Sequence, residues 1–176
     1  MEDDDIINMF GRMRVTDSPA RTCDTCPNQY TIQKAYGIQI LNNPINFKQI
    51  PTQFQTQEMC DSIINKCPEM FEFVSTEFKT SDMCCAVVHK SPDMFRFVPD
   101  KFKTYEMCDY AVKKNYHMFV YVPDWSKTSK MCEEVVVQYP RYIVNVPDYF
   151  KTAEMCEYAV ANCVNLAEYT IPTTIV

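Results

Sequence analysis

The residues of this chain best equipped for chemistry are ten cysteines and two histidines, and their spacing decides what is open to them. Cys23 and Cys26, in the run Arg-Thr-Cys-Asp-Thr-Cys-Pro-Asn, form the one CxxC pair. A pair of this kind is half of a structural zinc site or a redox dithiol. Zinc needs four ligands, and neither a second CxxC nor a histidine lies near the pair in sequence. The pair is therefore read as having no binding role, with metal and redox roles as lesser alternatives. Cys60, Cys84, Cys108, Cys132 and Cys156 follow one another at intervals of 24 residues, each beside a methionine. Cysteine on an apolar stripe behaves as a small hydrophobe. Neighbours one repeat apart are expected roughly 9–10 Å from each other, beyond disulfide reach. His89 and His117 fall at solvent-facing or helix-start positions, and general base work needs a positioned partner and a pocket. No catalytic residue, cofactor or small-molecule substrate is expected, and the chain is not read as an enzyme.

The elements that would position these residues come from a repeat. Phe54 opens FQTQEMC, Phe78 FKTSDMC, Phe102 FKTYEMC, Ser126 SKTSKMC and Phe150 FKTAEMC, each 24 residues after the last. Thr, Met and Cys recur all five times without an insertion, which is the mark of a solenoid or array. A sixth, degenerate unit begins at Tyr30, because Pro44, Phe47, Ile50 and Pro51 fall one period before Pro68, Phe71, Val74 and Ser75. Pro51 itself returns as Pro99, Pro123 and Pro147, and the last unit decays after Cys163.

Within a unit the periodicity is helical. Met83, Cys84, Val87 and Val88 share one stripe of an α-helix. Thr80 is its expected N-cap, with Asp82 complementing the dipole in the first turn, and Thr56, Thr104, Thr128 and Thr152 repeat the device. Pro92 suits the first turn of a second, shorter helix with Met94, Phe95 and Val98 as its apolar face, and Pro99 stops it. The expected fold is all-α: an α-solenoid of about six 24-residue helix-turn-helix repeats, with units starting at 30, 54, 78, 102, 126 and 150. Residues 1–29 lack the pattern and are read as an extended, irregular N-terminal arm, with 30–176 as the repeat domain.

Charge and composition narrow the partners. A net charge of −6 argues against a phosphate-binding surface, so nucleic acid is not expected. No apolar run approaches a membrane span, and Met-Glu-Asp-Asp-Asp carries acid where a secretory signal needs base. A protein that is not secreted, with reduced cysteines, is the expectation. Lys79, Lys103, Lys127 and Lys151 recur just before the capping threonine, and Asp100, Asp124 and Asp148 just after the proline. They are read first as a solvated charged edge and second as a docking strip. Tyr105, Tyr110, Tyr116, Trp125, Tyr139, Tyr142, Tyr149 and Tyr158 stand at positions that vary between units. Tyr and Trp are favoured at interface cores, so these are the candidate partner-binding residues, although some are expected to plug gaps between units.

The pattern FKTxEMCxxAVxxxPxMFxxVPDx resembles the short tandem helical repeats, of unassigned function, abundant in giant nucleocytoplasmic DNA viruses. Residues 54–161 carry the resemblance strongly and 30–53 weakly, with Ser126, Lys130, Tyr116 and Val164 as departures. The resemblance implies a viral origin and no catalytic motif. With the repeat array, it gives the expectation of a structural or scaffolding protein, a minor capsid or virion component bridging neighbouring subunits. It would be found in the virion, or in host cytoplasm before assembly. A cytoplasmic adaptor that binds a host protein is the alternative.

Overall fold

In a computed structural model of the chain, residues 29–163 are described. The arm, Cys23, Cys26 and the segment after Cys163 lie outside them. The described residues are helical throughout, with no strand, and divide between two compact units, Met1–Met83 and Cys84–Val176.

Six α-helices recur: α1 (Gln29–Asn42), α2 (Gln57–Lys66), α3 (Ser81–Lys90), α4 (Tyr105–Lys114), α5 (Ser129–Gln138) and α6 (Ala153–Asn162). From α2 onward each has ten residues and starts one residue after a repeat threonine. The threonine hydroxyl accepts from the amide three residues on, at 3.1 to 3.3 Å from Met59, Met83, Met107, Met131 and Met155 N. α1 is longer, with 14 residues. Ile32 stands where the others have their capping threonine, so nothing turns the chain out of the helix there and it runs back to Gln29. Replacing Thr104 by Ala is expected to lower stability by about 1 kcal/mol. Urea denaturation followed by circular dichroism measures this, and an unchanged midpoint would mean that the cap contributes nothing.

The second helix of each repeat is not α. Pro44–Gln49, Pro68–Phe73, Pro92–Phe97, Tyr116–Tyr121 and Pro140–Asn145 are 3₁₀ helices of six residues. Six residues make fewer than two α turns and short tracts favour i to i+3 bonding, with a proline opening four of the five and a proline two residues past the end of four. Each is closed by a valine or isoleucine amide donating three residues back, as Val98 N does to Phe95 O at 3.1 Å. A further three-residue 3₁₀ turn, such as Asp100–Phe102, leads into the next threonine. Tyr116 lacks the usual proline, and there the Asn115 side chain accepts from His117 N at 2.9 Å and starts the helix instead.

Each unit is packed in two layers, α-helices against 3₁₀ helices. In the first, α1 and α2 lie on Pro44–Gln49 and Pro68–Phe73, burying Phe47, Cys60, Ile63 and Phe71 completely. In the second, the 3₁₀ helices of successive repeats stack on one another, with α5 and α6 against Pro140–Asn145. Cys108, Phe119, Cys132, Val135 and Ile143 are fully buried there. Neither helix type is long enough to be stable alone, so stability comes from this stacking.

The recurrent lysines are not a solvated edge. The side chains of Lys103, Lys127 and Lys151 are only 6%, 7% and 8% exposed. Lys103 Nζ donates to Asp100 at 2.8 Å and to the Tyr121 carbonyl at 2.6 Å, and lies 5.0 Å from the Phe95 ring centroid. Lys127 does the same with Asp124 at 2.7 Å, the Asn145 carbonyl at 2.7 Å and the Phe119 ring at 5.0 Å. Two hydrogen bonds and one cation–π contact engage the three N–H groups of an ammonium, which offsets its burial. Tyr121 and Asn145 are the last residues of their 3₁₀ helices, whose end carbonyls lack internal partners. Lys103 and Lys127 are therefore C-terminal caps on the 3₁₀ helix of their own repeat, each beside a ring of the preceding repeat, a cation where the helix dipole favours one.

In the first unit Gln55 holds the lysine's place. Its Nε2 donates to the Phe73 carbonyl at 2.8 Å, again the last residue of a 3₁₀ helix, and its Oε1 accepts from Ser75 N at 2.8 Å. Ser75 occupies the position of Pro99, Pro123 and Pro147. Where the repeat has proline there is no amide to satisfy and a donor-only lysine suffices. Where it has serine, an acceptor is required, and glutamine supplies it.

Candidate functional site

The cysteine ladder belongs to the core. Cys60, Cys84, Cys108, Cys132 and Cys156 are all 0% exposed and free. Burial pushes the Cys60 thiol up to about 12 and Cys132 up to about 11, and raises Cys108 and Cys156 as well. A raised thiol stays protonated and unreactive at neutral pH. At pH 8, alkylation with mass-spectrometric readout is expected to label exposed Cys85 fast and the ladder only on unfolding, and rapid labelling of Cys108 or Cys132 would contradict this packing. The sign with pH follows. The folded chain holds these protons more tightly than the unfolded chain, so their contribution is complete below the ordinary thiol value near 9. It is lost as pH rises towards about 11 for Cys132 and 12 for Cys60.

The aromatic candidates, all in the second unit, fall into three groups. Tyr105 and Trp125 meet edge to face at 5.2 Å and are 56% and 51% exposed. Tyr149, in the repeat position of Trp125, is 69% exposed, and its hydroxyl donates to the Asp124 carbonyl at 3.3 Å. These three lie along the side where the α-helices start. At the opposite ends of the helices, Tyr116, His117, Tyr139 and Tyr142 form a cluster with ring centroids 5.0 to 6.0 Å apart. The Tyr142 hydroxyl is 2.6 Å from His117 Nδ1.

Comparison with protein-family models, curated proteins and solved structures gave no match to this chain.

Tyr110 and Tyr158, two repeats apart, act as clips between repeats. Their hydroxyls donate at 3.3 Å to the carbonyls of His89 and Val137, each 21 residues earlier. His89 stacks on Tyr110 at 4.5 Å, and its Nδ1 lies 2.8 Å from the Cys85 carbonyl and 3.6 Å from the exposed Cys85 sulfur. Among the described residues no three His, Cys, Asp or Glu side chains gather as a metal site, and no helix is long and apolar enough to cross a membrane. The first unit has a groove of about 420 Å³ between α1 and α2, lined by Tyr30, Gly37, Ile38, Ile40 and Met59, with Lys34 and Glu58 at hand and no His or Cys.

The aromatic candidates were legible because they break the repeat. What sequence reasoning missed was their partition into clips and clusters and the place of His117 and Arg141 among the rings. The available signal was that residues at 116, 141 and 142 all depart together from the Pro, Glu or Asp, and Met of earlier repeats.

Proposed function

We propose that this chain is a non-catalytic scaffold that holds other proteins by surface contact, serving as a minor capsid or virion component of a large DNA virus. The observation that carries the scaffold reading is a division of labour within the repeat. The most strictly recurring positions are absorbed by the core, the threonine caps and the lysine caps, while the rings of Tyr105, Trp125, Tyr139 and Tyr149 stand exposed at positions whose residue type changes along the array. Side chains under no obligation to the fold are free to serve contact, and Tyr and Trp are those that interfaces favour. The resemblance of residues 54–161 to giant-virus repeats supports the viral assignment. Quantitative mass spectrometry of purified particles tests it: the chain is expected in fixed ratio to the capsid subunits. Its absence from particles would remove the virion role, and recovery in a stoichiometric complex with a host protein would favour the adaptor alternative.

A further inference from the structure

The cluster at the C-terminal ends of the helices carries more than aromatic surface. Position 116 is proline in Pro68, Pro92 and Pro140, position 142 is methionine in Met70, Met94 and Met118, and position 141 is acidic in Glu69 and Asp93. In the repeats containing Tyr116–Tyr121 and Pro140–Asn145 these become Tyr116, Tyr142 and the basic pair His117 and Arg141. The Arg141 guanidinium lies 5.1 Å from the Tyr142 ring centroid, and its Nη2 is 3.4 Å from the Tyr142 hydroxyl. A hydroxyl that accepts from Arg141 has its own proton to give to His117 Nδ1, which places the imidazole proton on Nε2. Arg141 spends one N–H on the Tyr142 hydroxyl, so its other N–H groups and His117 Nε2 are the donors the cluster offers outward, beside the rings of Tyr116 and Tyr139. Asp93, one repeat before His117, is engaged by Asn115 Nδ2 at 2.7 Å, and Lys114 at the end of α4 lies over the Tyr110 ring at 5.6 Å.

We propose that Tyr116, His117, Tyr139, Arg141 and Tyr142 form a docking site for an acidic segment of a partner protein, a carboxylate engaging Arg141 and His117 while a neighbouring apolar side chain lies on the tyrosine rings. The inference rests on the scaffold reading and gives one of its contacts a chemistry. Charge complementarity selects the ligand, because planar guanidinium donors match a carboxylate and the rings supply apolar area. A single arginine with four rings is a footprint for two or three side chains. It is too small for a polyphosphate strand, whose binding needs basic groups spread along a groove.

Fluorescence anisotropy on the full chain tests the site with three labelled probes: a Glu/Leu decapeptide, a Lys/Leu decapeptide and deca-thymidylate. The acidic peptide is expected to bind best. Arg141→Glu should weaken it on the order of tenfold, and Tyr139→Ala severalfold, while Ser129→Ala, at the exposed start of α5, leaves it unchanged. Arg141 is exposed, and circular dichroism of each variant confirms the fold. The proposal is overturned if the Lys/Leu peptide or deca-thymidylate binds as well as the acidic one, or if Arg141→Glu has no effect. If the acidic peptide fails while Asp124–Ser126 becomes protected from hydrogen exchange in the native assembly, only this inference falls. Protection nowhere on the chain would remove the scaffold reading with it.

Discussion

Phe119→Ala is expected to destabilise the second unit by about 3–5 kcal/mol, the largest effect of any single substitution considered. Phe119 is fully buried in the stack of 3₁₀ helices, with Lys127 Nζ 5.0 Å above its ring. Truncation leaves a ring-sized cavity, and it also takes away the π face that engages one N–H of a buried ammonium. Against a typical total of 5–15 kcal/mol, a loss of that size threatens folding at physiological temperature. Phe119→Leu keeps most of the volume and is expected to cost about 1.5 kcal/mol or less beyond the lost cation–π contact, since the next repeat itself places Ile143 at this position. Urea titrations by circular dichroism measure both. Equal midpoints for the alanine and leucine variants would show that this position is not the packed centre described.

The second large effect is a coupling. Gln55→Lys is expected to destabilise by about 1–3 kcal/mol, because it removes the acceptor of Ser75 N and leaves a partly buried amide unpaired. Ser75→Pro alone removes that donor and leaves Gln55 Oε1 with only the Cys60 thiol at 4.0 Å. Together the two changes recreate the Lys–Pro combination found in Lys103 with Pro123 and Lys127 with Pro147, and most of the stability is expected to return. The cycle should show a favourable interaction energy of about 1–2 kcal/mol. Thr76 in place of an aspartate beside Lys79 indicates that lysine at this position does not demand the acidic neighbour. Simple additivity of the two single changes would mean that the pairing of residue 55 with residue 75 has no energetic content.

Much of the fold was legible because a repeat states its rules several times. Five threonines at one interval identify the caps, and the Met-Cys-x-x-Val-Val spacing identifies the buried stripe. The 3₁₀ character of the second helix was not legible, since Met94, Phe95 and Val98 suit one face of either helix type. The six-residue length of these helices decides between them, because Pro68–Phe73 and Tyr116–Tyr121 each lack one of the two flanking prolines and are 3₁₀ all the same. The lysines were misjudged because a charge next to a cap is usually solvated. Their burial depends on a carbonyl 18 residues away at Tyr121 or Asn145 and on a phenylalanine eight residues back, partners visible only once the repeats stack. The partial cue was Gln55, the one non-lysine at its position in the five units from 54 onward, coinciding with Ser75, a non-proline at its own. For the candidate site, departures from the repeat marked the right residues, while the bonding of Tyr142 to both His117 and Arg141 came from the packing of adjacent 3₁₀ helices.

The central claim is that the non-recurring aromatic surface is where this chain meets its partners. Amide hydrogen exchange, compared between the isolated chain and the same chain in its native assembly, tests it most directly. Slowed exchange is predicted across Tyr116–Tyr121, Asp124–Ser126 and Pro140–Asn145, the segments that carry Tyr116, Trp125 and Tyr142, with the buried stripes of α4 and α5 unchanged. Identical exchange in both states across these segments would contradict it.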